Sequence, residues 1–387
     1  MLDQPVVLHK GIYKPTATVA EAIFMITGMT IGAGVLGLPY VVSKVGLLIG
    51  LPMILVLGLT MLLLNLIIGD IAVRTKENLQ LPGFAGRYLG PWAKGLLSIV
   101  MILTGLGSLL AYLVGEGQAL SALFGGPPLW WSIFFWSIGS FLVWLGLRAV
   151  KRAEKYLSLA VMIIILGLSI FLLTKFQAVN FWHVELANFF LPFGVILFAL
   201  NAAPAIAEAH ALLPGSQRHF RTAIIIGTLV PMVLYLLFAL AMVSFSGTGT
   251  AEVATLGLSG LGPLVAAAAN LFAILAMGAC FLGMGTAVKQ TLVWDYKISR
   301  SVAVLAVTMI PLLLFLFGFK SFVEILDVIG GLFIGIEAVL LTLIAFRARQ
   351  RGDLDAGRYG LSRFWLAAAP VLVFFSLATL WTVFRMF

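Results

Sequence analysis

Apolar residues run through this chain in blocks of about 20, parted by short polar stretches, and no block alternates with the period of two that a membrane-spanning strand requires. Read as helices, the blocks predict eleven spans at 17–43, 46–72, 93–122, 129–149, 153–174, 187–210, 221–245, 262–292, 300–318, 321–346 and 364–385. The third and eighth are longer than a bilayer needs and predict tilt. The expected class is all-α integral membrane, with residues 1–16 as a cytoplasmic N-terminal segment. No cleavable leader is expected, because the first block is too long for a leader's apolar core.

Composition agrees with that pattern. Of 387 residues 62% are hydrophobic and 10% charged, too few charges to cover a soluble surface. A net charge of +9 would suggest nucleic acid in a soluble protein, but its distribution points elsewhere. With the N-terminus in the cytoplasm, all the lysines and arginines except Lys44, Lys175, Lys320 and Arg385 fall on the inner side. This asymmetry predicts a multi-pass cell-membrane protein with a cytoplasmic N-terminus and no nucleic-acid partner. The single cysteine, Cys280, excludes an intrachain disulfide.

The spans divide into two sets. Five cover 17–174, five cover 187–346, and 364–385 is additional. Five crossings are an odd number, so the second set enters the membrane inverted relative to the first. Within the first span, Thr30-Ile31-Gly32-Ala33-Gly34-Val35-Leu36-Gly37-Leu38-Pro39 breaks the helical pattern. A shift of 170 residues lays Gly32 on Ala202, inside Phe198-Ala199-Leu200-Asn201-Ala202-Ala203-Pro204, where the sixth span is itself interrupted. Unpaired backbone groups in hydrocarbon cost several kcal/mol each, so open winding survives only against protein or a water-filled cavity. Either break alone reads as a tolerated kink. Matched breaks in two inverted halves point to the midplane binding site of a carrier.

The run from Gly28 to Pro39, G-M-T-I-G-A-G-V-L-G-L-P, resembles the first helix of the amino acid/auxin permease family, which includes bacterial aromatic amino acid permeases and belongs to the amino acid–polyamine–organocation superfamily. Phe198 to Ile206, Arg148-Ala149-Val150 with Lys155, and Phe281-Leu282-Gly283 are also similar, though less specific. The resemblance spans nearly the whole chain. It implies a five-plus-five inverted repeat with broken helices 1 and 6 and one extra C-terminal helix. It also implies that the N–H groups of Gly32, Ala33 and Gly34 hold a substrate carboxylate, helped by the dipole of the following half-helix. Carbonyls near Thr27–Thr30 and Phe198–Asn201 would take the substrate ammonium, and one bundle would rock against the other to alternate access.

The function expected is therefore secondary active transport of a small-molecule amino acid. By position, Thr30, Ser108, Tyr112, Phe198, Asn201, Ala202, Met277 and Gly331 join the three first-span residues as candidate substrate contacts. No intramembrane charge is placed to match a charged side chain, which favours neutral aromatic or large aliphatic substrates. Sodium-coupled relatives place paired hydroxyls on the eighth helix, where this chain has Ala279 and Cys280. Proton coupling or exchange is thus expected ahead of sodium coupling. Intramembrane ionisable groups default to functional candidates. Glu337 lies roughly 24 Å along the tenth span at 1.5 Å per residue and is the first choice for a proton carrier. Glu116 is another. Lys155 matches a lysine used by some proton-coupled relatives, its plain alternative being a snorkelling cation. Glu324 and Asp327 are expected to line an outer vestibule or gate, and the basic loop 347–363 to be solvated rather than to bind a partner or anionic lipid.

Other classes find little support. His9, His183, His210 and His219 are scattered near span ends, and neither an HExxH pair nor a Walker A run occurs, so no enzyme, metal or cofactor is expected. Gly32 to Gly37 spells GxGxxG, but residues 52–60 hold no acid and the flanks are membrane helix. No TVGYG filter or regularly spaced arginine row suggests a channel. An amino-acid-sensing receptor on a carrier fold, and a sodium-coupled symporter, stay open as alternatives. No obligate protein partner is inferred beyond the bilayer itself.

Overall fold

The computed structural model describes residues 18–386 except 78, 146–149, 214–216, 295, 358, 360 and 362, with backbone alone for 150–158, 211–212, 294 and 386. In chain order the helices are α1 (Val19–Thr30), α2 (Gly34–Val45), α3 (Leu47–Arg74), α4 (Leu81–Tyr88), α5 (Pro91–Phe124), α6 (Pro128–Leu145), α7 (Val150–Leu173), α8 (Ala178–Phe181), α9 (Pro192–Ala199), α10 (Ala203–Leu212), α11 (Gln217–Ser246), α12 (Pro263–Trp294), α13 (Arg300–Leu316), α14 (Phe322–Val328), α15 (Gly335–Arg351) and α16 (Phe364–Met386). A π-turn at Ile329–Ile334 joins α14 to α15. Among the described residues, eight helical spans are long and apolar enough to cross a membrane, and the bent pair α1–α2 makes a ninth. Leu159–Leu173 and Arg300–Leu316 are shorter apolar helices.

Both expected interruptions occur, but they differ in shape, and the first is shorter than the run Thr30–Pro39 suggested: it covers 31–33, and Gly34 to Pro39 are wound into α2. Thr18 caps α1 with a reciprocal bond to Glu21, and α1 runs to Thr30. Ile31 is then extended, and α2 leaves at 56° to α1. In the sixth span, Leu200 and Ala202 leave helical torsions (φ −99°, ψ 8° and φ −118°, ψ 7°) without becoming extended. The span loses winding for three residues while its axis continues, so Pro192–His210 still passes as one crossing. Its N-terminal stretch is also shorter than expected, since 186–188 form a separate 3-10 turn.

Backbones approach most closely at glycines. Gly46 (φ 89°) turns α2 into α3, and a Cβ there would run into the His183 carbonyl. Gly330 in the π-turn crosses Gly194 of α9 so tightly that a Cβ would collide with the Gly194 carbonyl. Small residues at such crossings let membrane helices gain dispersion contact, because lipid offers no hydrophobic force to drive them together. The outward faces are apolar: Trp130, Phe134, Phe141 and Trp144 on α6 are exposed, as expected of a surface bathed in lipid.

At the end of the molecule read as cytoplasmic, the loop after α15 is largely exposed, as expected, but it is also tied to the helices at a few points. Asp70, fully buried in α3, binds Arg74 at 3.1 Å and Arg349 at 2.8 Å. The Tyr359 hydroxyl donates to the Leu66 carbonyl at 2.8 Å, and the ring lies against Gly69. Arg87 on α4 grips both Asp353 oxygens, at 2.6 and 2.7 Å. At the opposite end, Glu252 accepts from Ser321 and from the Phe322 N–H, capping α14 with negative charge. Asp327 does not line a vestibule; it is 1% exposed and pairs with Arg385 at 2.8 Å.

The Lys76 N–H, together with the Arg87 guanidinium, holds the Asp353 carboxyl below the usual carboxylate range. A depressed acid contributes its stability above the unfolded value of about 4 and loses it as pH falls through the lower, folded value. Acidification below about pH 4 should therefore free α4 from the loop. Amide exchange of 81–88 is expected to accelerate there in the wild type, while Asp353→Asn exchanges fast already at neutral pH. Equal protection of α4 in both proteins at neutral pH would contradict this.

Candidate functional site

Unwinding strands backbone groups, and their partners define the site. At the first break the Ile31 N–H returns to the Thr27 carbonyl at 2.9 Å, and the Thr30 carbonyl accepts from the Tyr235 hydroxyl of α11 at 2.9 Å. The same hydroxyl oxygen faces the Gly32 N–H. Among the described residues, the N–H groups of Ala33 and Gly34 meet no acceptor. They form the opening of α2, where aligned peptide dipoles favour an anion.

The two breaks face each other. A Cβ on Gly34 would sit 2.6 Å from the Ala199 Cα and 3.1 Å from Phe198 Cδ1. A Cβ on Gly32 would sit 2.8 Å from Cys280 Sγ of α12. Tyr112 comes to the same sulfur from α5, one turn above Ser108, which it also approaches. Gly32, Phe198, Asn201 and Cys280 are partly accessible, whereas Ala33, Gly34 and Ala202 around them are buried. Hollows of 310 and 380 Å³ lie elsewhere, one beside Arg349 and Trp365 and one beside Gly46 and His183.

The sequence candidates sort accordingly. Gly32, Ala33, Gly34, Tyr112 and Phe198 come together with Cys280. Thr30 takes part through its carbonyl, because its own hydroxyl bonds back to Ile26 at 2.7 Å. Ser108 likewise bonds Thr104 at 2.7 Å, beneath Tyr112. Asn201 uses Oδ1 to accept the Ala203 N–H at 3.1 Å, a local turn just before α10, and Ala202 is the buried residue between them. Met277 packs one turn away, against Gly115. Gly331 is not brought to this group. Its face abuts Thr382 of α16, and its carbonyl accepts from Thr379 at 2.9 Å. The neighbouring position, Gly330, is the one that meets α9.

Of the coupling candidates, Glu116 is fully buried with neither oxygen bonded, and Oε1 lies 3.3 Å from where a Gly278 Cβ would be. Glu337 is 2% exposed with Oε1 unbonded, just past the π-turn. The Lys155 side chain, with Arg148 and Ala149, lies outside the described residues. Among the described residues no cluster of His, Cys, Asp and Glu could hold a metal. Two residues at this site were missed from sequence as contacts: Tyr235, which carries no motif, and Cys280, noted only as lacking a hard oxygen.

The sequence pattern of the tryptophan/tyrosine permease family matches residues 16–375. Tyrosine-specific transport system 1 of Haemophilus influenzae is 24% identical over 358 residues, covering 84% of this chain and 87% of that protein. Tyrosine-specific transport system 2 of the same organism is 29% identical over 232 residues, covering 56% of each. Among solved structures, the crystal structure of MhsT in complex with L-phenylalanine superposes with a TM-score of 0.68 at 16% identity, over 95% of this chain and 99% of that one. That likeness shows the fold. The family is one of membrane transporters and not of enzymes.

Proposed function

This chain belongs to the tryptophan/tyrosine permease family, and we propose that it carries aromatic amino acids across the cell membrane by alternating access. The observation that carries this reading is the pairing of two unwound segments, 31–33 and 200–202, around Gly34 and Ala199, with the N–H groups of Ala33 and Gly34 left open. A zwitterion offers what such a gap lacks: a carboxylate for the α2 N-terminus and an ammonium for stranded carbonyls. Tyr112 and Phe198 bring aromatic surface to the same space.

In this reading the chain crosses the membrane eleven times with its N-terminus inside, as two inverted five-helix sets and a final helix. The wider kinship with amino acid/auxin permeases belongs to it too. Coupling is by protons or exchange. Cys280 stands at the first break, where a sodium site would want hard oxygens.

The test is transport in proteoliposomes. Labelled tyrosine, tryptophan or phenylalanine should enter by counterflow, and an inward pH gradient should drive accumulation. A receptor on the same fold would bind without counterflow. Uptake that follows a sodium gradient and ignores pH would overturn the coupling but leave the carrier.

A further inference from the structure

Resting on that carrier reading, we propose that Tyr235 is a positioning residue for substrate binding: its one hydroxyl spans the first break and fixes the peptide that aims the Ala33 and Gly34 N–H groups. Tyr235 lies on α11, contributes nothing to either interrupted segment and is fully buried. Its hydroxyl donates to Thr30, the last residue of α1, at 2.9 Å, and its oxygen faces the N–H of Gly32, two residues on. A phenol can donate one bond and accept another, and this one meets the two groups of opposite polarity that the break strands.

The arrangement favours one geometry for a physical reason. Ile31 is extended and Gly32 has no Cβ, so the peptide between them would be free to rotate without an external tie. Rotation would redirect the following N–H groups. From α11, Tyr235 removes that freedom, while Cys280 of α12 lies against Gly32 and Tyr112 of α5 approaches the same sulfur. A helix interior could not do this with its own backbone, since the groups concerned are those the break released. Pre-setting the donors lowers the ordering cost of binding and so acts on affinity.

Tyr235→Phe keeps the ring and deletes the tie. Tyr359→Phe is the control: it deletes an equally buried hydroxyl that bonds a backbone carbonyl, Leu66 at 2.8 Å, remote from the breaks. Both variants should lower the apo melting temperature by similar amounts. Only Tyr235→Phe should raise KM for tyrosine, by roughly five- to tenfold with kcat little changed, the weight of one neutral hydrogen bond. It should also shrink the stabilisation that saturating tyrosine confers. Equal KM in Tyr235→Phe and the wild type, or equal increases in both variants, would overturn the positioning role and leave the carrier reading intact. A wild-type protein that neither binds nor exchanges aromatic amino acids would overturn both.

Discussion

Gly34→Val is expected to lower tyrosine counterflow by roughly a hundredfold, the scale on which a displacement of about 1 Å in a positioned site acts. A Cβ at residue 34 would lie 2.6 Å from the Ala199 Cα, which is backbone and has no rotamer into which to retreat. The branched side chain must therefore push α2 away from α9, and the two breaks separate. Because Gly34 is also the first residue of α2, the shift moves the N–H groups proposed to hold the carboxylate. Gly283→Ala serves as the control. It lies three residues from Cys280 on α12 with open space where its Cβ would go, and should leave counterflow near wild type. Monodispersity and melting temperature of both variants separate a lost site from a lost fold. A well-folded Gly34→Val protein that exchanges tyrosine normally would remove the paired breaks from the mechanism.

The second large effect concerns Glu337. Glu337→Gln is expected to abolish accumulation driven by a pH gradient, bringing internal tyrosine down to the external level, while counterflow persists. The amide preserves shape and fills the same space but cannot exchange a proton. Glu337 is buried beside a π-turn, with Oε1 unbonded, in a medium where an ionisable group without a structural partner is costly to keep. Glu116→Gln is the comparison. Both of its oxygens are unbonded, but Glu116 faces Gly278 within the α5–α12 contact. If Glu116→Gln uncouples and Glu337→Gln does not, the proton path runs through α5. Undiminished accumulation in both variants, and in the double variant, would exclude the two carboxyls.

The first break was legible from the glycines at 32 and 34, which hold the backbone loosely, but its extent was not: Gly34 through Pro39 wind into α2, with Pro39 inside the helix. The sixth-span break was legible only by its match to the first, and its near-straight axis was not, because nothing in the residue types at 200–202 sets the angle between the two half-helices. Helix faces were harder. Gly330 and Gly331 look alike in sequence, and only packing shows that one meets α9 and the other α16. Long-range polar ties left no local trace. Asp327 with Arg385, Asp70 with Arg349, and Tyr235 with Thr30 join residues far apart in the chain, and none of them follows from period or spacing. The ties of the loop from 352 went unread for the same reason. Its charges looked like topology signals, while their partners lay on α3 and α4.

A cryo-electron microscopy map of the protein with bound L-tyrosine tests the central claim most directly. Density for the amino acid should lie between 31–34 and 198–202, its carboxylate within hydrogen-bond distance of the Ala33 and Gly34 N–H groups and its ring beside Tyr112 and Phe198. Tyrosine seated anywhere else, with those two N–H groups still open, would contradict the account.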